Sequence, residues 1–324
     1  MSPVPARSRL ALVRARLELP TLRRATGLLD GRHRAVWKGH GDEVDDLHVY
    51  TPGDDVGDID WRASARSAQP VVKRYVETSN VTLVLVVDTG RHMTATSAGG
   101  EPKHEVAQLV ADVVAHLAHQ RGDRVSLVAG DAGRVVEVPS GAGTTHLEVL
   151  LRRVQRTFDP DAPEGALARL LDRVLRGTPR RSLVVVVTDE ARPGEADERA
   201  LARLRTRHEV MVVQVVDADL FAAGLGAAPG SLAGGSAATE RGRPVVAPPR
   251  GRRVRDVVTG WSLPAYLRGR RAVRDAVAAA RTERHAQVEG RLRRLGVRSV
   301  SVESTHDVLD EMVALLGRSR RAGR

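Results

Sequence analysis

Residues 50–93 read YTPGDDVGDIDWRASARSAQPVVKRYVETSNVTLVLVVDTGRHM, an acid-rich segment leading into an apolar run, Val81 to Val87, that ends in Asp88. An apolar run with no polar alternation suits a strand buried on both faces, as in a parallel sheet flanked by helices. The residue just past such a strand lies at the carboxyl edge, where open α/β sheets place their ligands. Asp88 is therefore the first candidate functional residue.

Beyond it, apolar runs and helical patterns alternate. Lys103–Gln120 predicts an amphipathic helix, with Val106, Leu109, Val110, Val113, Val114 and Leu117 on one stripe. Val125–Ala129 and Arg134–Val138 predict strands around the turn Gly130–Gly133, and helices follow near Thr145–Gln155 and Pro163–Leu175. Leu183–Val187 is a second buried-type strand, ending in Thr188 and Asp189. A helix near Ala196–Thr206 and a strand at Val210–Val216 come next. After residues 222–251, rich in Ala, Gly, Pro and Ser, the pattern predicts a short strand at Arg253–Val258 and a long helix at Arg271–Leu295. Gly296 stands at its C-cap, followed by a strand at Val297–Val302 and a helix at Val308–Leu316. This alternation predicts an α/β fold, a doubly wound and mostly parallel sheet with helices on both faces. Val44–Tyr50 and Val71–Val76 are candidate strands of a small β-rich appendage ahead of it. The expected organisation is an N-terminal segment (1–30), the appendage (31–79), the core (80–221), a flexible loop (222–251), completing strands and helices (252–317) and a frayed basic tail (318–324).

Composition narrows the function classes. With no cysteine, the chain holds no disulfide, thiolate zinc site or cysteine nucleophile. Aromatics are 2% of residues, so base-stacking platforms are scarce. No apolar run approaches the roughly 18 residues of a membrane span, and a cytoplasmic protein without membrane insertion is expected. The net charge is +11 and unevenly spread: Asp42 to Asp60 holds eight acids and no Lys or Arg, whereas Arg241 to Arg298 holds 16 arginines and four acids. That basic stretch reads either as helices with solvated arginine faces or as a nucleic-acid footprint giving weak, non-specific binding at low salt.

Two motifs, Tyr50-Thr51-Pro52-Gly53-Asp54-Asp55 and Ile59-Asp60-Trp61-Arg62-Ala63-Ser64-Ala65-Arg66, precede the apolar strand ending in Asp88. Together they resemble the family called domain of unknown function 58, whose members carry a von Willebrand factor A-like domain. The resemblance extends more weakly from about Gly31 to about Leu316, and Gly57 stands where the family usually has an arginine. It implies a divalent cation at the carboxyl edge, held by an Asp-x-Ser-x-Ser loop, a threonine and a further Asp. Carried onto this chain, Asp88 matches the first carboxylate, Thr144 the threonine and Asp189 the last Asp, while Gly90 and His92 replace both hydroxyls and Arg91 adds a positive charge. Oxygen-only ligation suits Mg²⁺ or Mn²⁺. With two hydroxyls gone, the expectation is a degenerate site that binds these ions weakly, and no cofactor. Arg91 and His92 are then candidates for contact with a partner. Members of the family are commonly encoded beside MoxR-type AAA+ ATPases, which implies a non-catalytic adaptor or co-chaperone of such an ATPase.

The motif residues allow a structural reading too. Pro52-Gly53-Asp54-Asp55 suits a tight turn, and Asp60, Arg62 and Arg66 suit an ion-pair network over a buried Trp61; the other reading is a partner-facing surface. Two alternative functions remain: a metal-dependent hydrolase using Asp88 and Asp189, and a nucleic-acid-binding module using the C-terminal arginines. Asp88-Thr89-Gly90 also matches the aspartic-protease tripeptide, but that chemistry needs a second carboxylate copy or a symmetric dimer. His116 and His119, three apart on a helix, lack an obvious third metal ligand.

Overall fold

The computed structural model describes residues 43–51, 57, 59–67, 69–76, 82–219, 221, 256–262, 264–268 and 270–321. The N-terminal segment, the Gly53–Asp55 turn and the loop at 222–251 lie outside them.

The apolar run of the opening stretch becomes β3 (Thr82–Asp88). It pairs in parallel with β4 (Arg124–Gly130) on one side and β6 (Leu183–Asp189) on the other. Beyond β6 come β7 (Glu209–Val215) and β8 (Arg298–Val302), also parallel. β5 (Val135–Gly141) closes the other edge, antiparallel to β4. The order is β5-β4-β3-β6-β7-β8, so the winding reverses between β3 and β6. At such a switch point the two connections leave in opposite directions and open a crevice at the carboxyl ends of the strands. Asp88 and the Thr188–Asp189 pair end the two strands that flank it.

Both faces are covered, which is why these strands carry no polar alternation. Leu83, Leu85 and Val87 face α2 (Lys103–Gln120), α3 (Thr144–Thr157) and α8 (Val308–Arg321). Val84 and Val86 face α4 (Leu167–Gly177), α5 (Glu195–Arg207) and the last turns of the helix Arg271–Arg294, through Val288 and Leu292. Each fully buried aliphatic side chain contributes about 1.5–3 kcal/mol. The fold is thus α/β, doubly wound and mostly parallel. The predicted Lys103–Gln120 helix has the observed limits. It begins after Pro102 and gives way to Gly122 at φ 72°, a left-handed position that a glycine adopts without steric cost.

The structure departs from expectation in four places. Residues 163–166 are not helical, because the carbonyls of Pro163 and Glu164 accept hydrogen bonds from Arg91 N and Ala132 N (both 2.9 Å); α4 begins only at Leu167. Asp256–Val258, the described end of the strand expected at Arg253–Val258, instead opens a turn in which Asp256 Oδ1 accepts the amides of Val258 (2.9 Å) and Thr259 (2.7 Å). α8 runs to Arg321, so residues 318–321 of the expected tail continue a helix. The short helix α1 (Trp61–Ser67) was not anticipated.

α1 lies beside a separate two-stranded antiparallel sheet, β1 (Glu43–Val49) with β2 (Val71–Val76). Its N-terminus is capped by Asp60, whose Oδ1 accepts the amides of Arg62 (2.9 Å) and Ala63 (3.0 Å). The Ser64 hydroxyl accepts Val71 N at 2.8 Å and donates to the Asp60 carbonyl at 2.7 Å, fastening the helix to β2. Arg66 Nε donates to the Arg62 carbonyl at 3.3 Å. Trp61 is 70% exposed and is not the buried indole expected beneath the motif; the bonds of Asp60 and Ser64 make a helix cap and a strand tether. The sequence run DWRAS favours the cap, since Asp at the N-cap satisfies orphan amides of the first turn.

Asp60→Ala should therefore lower the stability of this appendage by about 1 kcal/mol. The expected readout is faster amide hydrogen exchange at Arg62 and Ala63; unchanged exchange at both would rule the cap out.

Candidate functional site

The carboxyl edge of the sheet gathers Asp88, His92, Lys103, Asp189, Arg192 and Asp217. Asp88 is fully buried and its oxygens are already engaged. Oδ1 accepts Gly90 N at 3.1 Å and Oδ2 accepts the Thr188 hydroxyl at 3.0 Å. His92 follows one turn later on the 3₁₀ helix Arg91–Thr94. Its Nε2 lies 3.2 Å from Asp88 Oδ2, an ion-pair contact rather than a well-aligned hydrogen bond. Burial pushes the Asp88 carboxyl up, but the contact with His92 and its charge, the Gly90 amide and the Thr188 hydroxyl outweigh it and hold Asp88 below the ordinary range. Burial likewise pulls the His92 imidazole down, and Asp88, with a smaller push from Asp189, more than restores it; Lys103 opposes.

Lys103 forms the second half of the site. Although it opens α2, its side chain is 1% exposed, and its ammonium donates to Asp189 Oδ2 and, at 2.6 Å, to Asp217 Oδ1. Backbone bonds bring it there: the segment before α2 folds back with Lys103 N on the Ala95 carbonyl (2.8 Å), and Ser97 bridges to Asp217 just beyond β7. Burial lowers the ammonium's affinity for its proton, and the two carboxylates raise it above the usual lysine value. Asp217 stays high: burial and the Asp189 charge raise it more than Lys103 lowers it. Asp189 Oδ1 also accepts Ala191 N at 2.6 Å.

A loop closes the crevice from above. Arg91 Nε donates to the Ala162 carbonyl at 2.9 Å, and Arg192 reaches both the Gly165 carbonyl (3.3 Å) and Asp197 (3.0 Å). Gly90 and Gly165 pack backbone to backbone. A Cβ on Gly90 would collide with Gly165 N and Cα, and one on Gly165 would meet His92 Cε1 and lie 2.7 Å from Asp88 Oδ1. Glycine at position 90 is therefore required by the cap, and a serine hydroxyl there has no room.

These contacts revise the residue roles expected from sequence. Asp88 and Asp189 do meet at one crevice. Thr144 does not: β5 runs antiparallel, and Gly141 pairs with Val125, which is level with Leu83 at the opposite end of the sheet. That places Gly141, three residues before Thr144, roughly 16 Å of strand length from Asp88, at about 3.3 Å per residue. His92 turns in against Asp88, its side chain 14% exposed, and the partly buried Arg91 is engaged by the Ala162 carbonyl. Lys103, Arg192, Asp217 and the Gly165 cap were missed. The one available signal was a lysine in the first turn of an otherwise apolar helix face, where it opposes the helix dipole.

The donor set does not fit a bound Mg²⁺ or Mn²⁺. Asp88 is spent on Gly90, Thr188 and His92, and an ammonium stands between Asp189 and Asp217. The buried Thr89 hydroxyl has no hydrogen-bond partner, but a single hydroxyl is not a hard-cation site. Among the described residues no group of three or more His, Cys, Asp or Glu is placed to hold a metal ion.

The sequence matches one described family. A family model described as protein of unknown function DUF58 matches residues 46–222. Uncharacterized proteins of Mycobacterium tuberculosis and Mycobacterium bovis are 30% identical over 212 residues, 64% of this chain and 66% of each relative. Among solved structures, the conserved hypothetical protein BatB from Bacteroides thetaiotaomicron covers 74% of this chain and 99% of its own, at 14% identity and TM-score 0.42. A von Willebrand factor type A structure from Catenulispora acidiphila covers 78% of this chain and 44% of its own, at 10% identity and TM-score 0.38. The strand order β5-β4-β3-β6-β7-β8 by itself defines the fold.

The Asp88–His92 pair sets a pH signature. Asp88, lowered on folding, contributes stability present above its unfolded value of 3.8 and lost as pH falls through the folded one. His92, raised on folding, contributes stability that is complete below 6.5 and lost as pH rises through its folded value. The melting-temperature difference between wild type and His92→Gln should therefore peak between about pH 4 and pH 6.5 and shrink above. A difference independent of pH would leave His92 a packing role only.

Proposed function

This chain belongs to the family described as protein of unknown function DUF58, and on that premise we propose that it is a non-catalytic protein–protein interaction module. Its partner, on this reading, is a MoxR-type AAA+ ATPase in the cytoplasm, for which the chain serves as adaptor or co-chaperone. The observation that carries the reading is the internal neutralisation of the carboxyl edge. Every carboxylate that a hydrolase would use there is already engaged by a histidine, a lysine or a backbone amide. A catalytic carboxylate needs a free oxygen within reach of its substrate, and Asp88 lies beneath the Gly165 backbone.

The face left for a partner is the cap itself. Asp159, Pro160, Asp161, Pro163 and Glu164 are exposed beside Ala132, Gly133 and Arg134 of the β4–β5 turn, and Asp131, Gly133, Arg134, Asp159 and Asp161 line a shallow depression between them. Its acidic character suits a basic patch on the partner. The nucleic-acid reading loses support because described C-terminal arginines are tied to acids of this chain. Arg281 engages Glu190 at 3.1 Å, Arg294 engages Glu198 at 3.1 Å, and Arg298 pairs with Glu209. Among the described residues no helix is long and apolar enough to cross a membrane.

The test is capture of the MoxR-type ATPase from the same genome by the full chain at about 0.15 M salt, where the Debye length is about 8 Å. Asp159→Arg with Asp161→Arg should weaken capture about tenfold or more, roughly 1.4 kcal/mol, without lowering the melting temperature. Undiminished capture by that variant would move the interface elsewhere. Nanomolar, sequence-selective nucleic-acid binding at the same salt would defeat the reading.

A further inference from the structure

We propose that Lys103 is this protein's own cation at the carboxyl edge, a tethered ammonium that takes over the task of a bound divalent metal and holds the ends of β6 and β7 to the start of α2. The inference rests on the geometry of the crevice and stands whichever partner the exposed face receives.

Lys103 heads the largest fully buried side chains of the described residues. Nothing about its place in the chain favours a lysine. The first turn of a helix repels a positive charge, and taking an ammonium out of water is costly unless it is closely paired. An apolar residue would pack against the neighbouring Val106 and Ala107, both buried, without either penalty. What the site does require is positive charge. Asp189 ends β6, Asp217 lies two residues beyond the end of β7, and their carboxylates meet at a single Nζ. Two carboxylates that share one small volume cannot both stay ionised without a cation between them. The Asp217 side chain is 40% exposed, so the pair lies against solvent on one side, within reach of dissolved ions.

A divalent ion and an ammonium solve the same electrostatic problem in different ways. The ion is exchangeable, and it leaves a coordination position that a partner's acidic side chain can fill. The ammonium is covalently held, has three donors and offers no open ligand position. The edge is thereby formed at all times, insensitive to chelation, and contact with a partner cannot run through a shared metal.

The experiment measures melting temperature of the full chain with a chelator and with Mn²⁺ alone. Wild type should not shift between the two. Lys103→Ala leaves Asp189 and Asp217 facing each other across a vacated space; it should melt about 10 °C lower with chelator and recover at least half of that in millimolar Mn²⁺. If Lys103→Ala does not accumulate, Lys103→Gln, which keeps hydrogen-bonding reach without charge, is measured in its place with the same expected Mn²⁺ dependence. Stabilisation of wild type by Mn²⁺ would overturn the proposal. So would a neutral variant as stable as wild type, or one destabilised with no response to Mn²⁺.

Discussion

Buried negative charge at the ends of two neighbouring strands is the constraint on which the carboxyl edge depends. The doubly wound sheet brings Asp88 and Asp189 to one crevice, and the next strand adds Asp217. Desolvating Asp88 and Asp189, with the half-exposed Asp217 beside them, is prohibitive unless each buried carboxylate finds a cation or several donors. This chain supplies them from its own side chains: His92 for Asp88, and Lys103 for Asp189 and Asp217, with Arg192 adding a favourable charge from the β6–α5 connection. The neutralisation is local and nearly complete.

Neutralisation permits closure, and closure changes what the edge can do. Because Asp88 is satisfied by Gly90 N, the Thr188 hydroxyl and His92, the backbone of Ala162–Gly165 can lie directly over it, fastened by Arg91 and Arg192. The two contacting glycines are part of the same arrangement, since a side chain at either position would force the cap away. A residue that looks like the loss of a ligand, Gly90, is thus a requirement of packing. The chemistry of the edge is sealed inward, and its outward face belongs to the acidic loop Asp159–Glu164.

The basic C-terminal region is organised by the same economy of charge. Its long helix, Arg271–Arg294, buries only Val288 and Leu292 among its apolar residues, too little to fix its place by packing alone. Arginines do the rest. Arg281 reaches Glu190 and the Asp217 carbonyl (2.6 Å), and Arg291 and Arg294 reach Glu198 from the far end. Exposed pairs of this kind contribute little individually, but several together set the helix's position against the sheet edge. The arginine excess is in this part of the chain a means of docking a helix.

The sequence by itself determined the fold class and most of its elements. Unalternated runs such as Thr82–Val87 and Leu183–Val187 can be satisfied only by burial on both faces, and the 3.6-residue stripe of Lys103–Gln120 defines a helix with one apolar side. It also placed Asp88 and Asp189 at strand ends, because that position depends only on where an apolar run stops. Contacts between residues distant in sequence were not legible. Thr144 looked like a ligand by order along the chain, yet the antiparallel direction of β5 carries it to the opposite end of the sheet. Trp61 looked like core by residue type, yet the cap at Asp60 and the tether at Ser64 turn it outward. Lys103 and Asp217 lie 114 residues apart and Gly90 meets Gly165 across a loop that no periodicity announces. Only the tertiary structure could decide them, because which charges neutralise one another depends on distances that strand order and direction create.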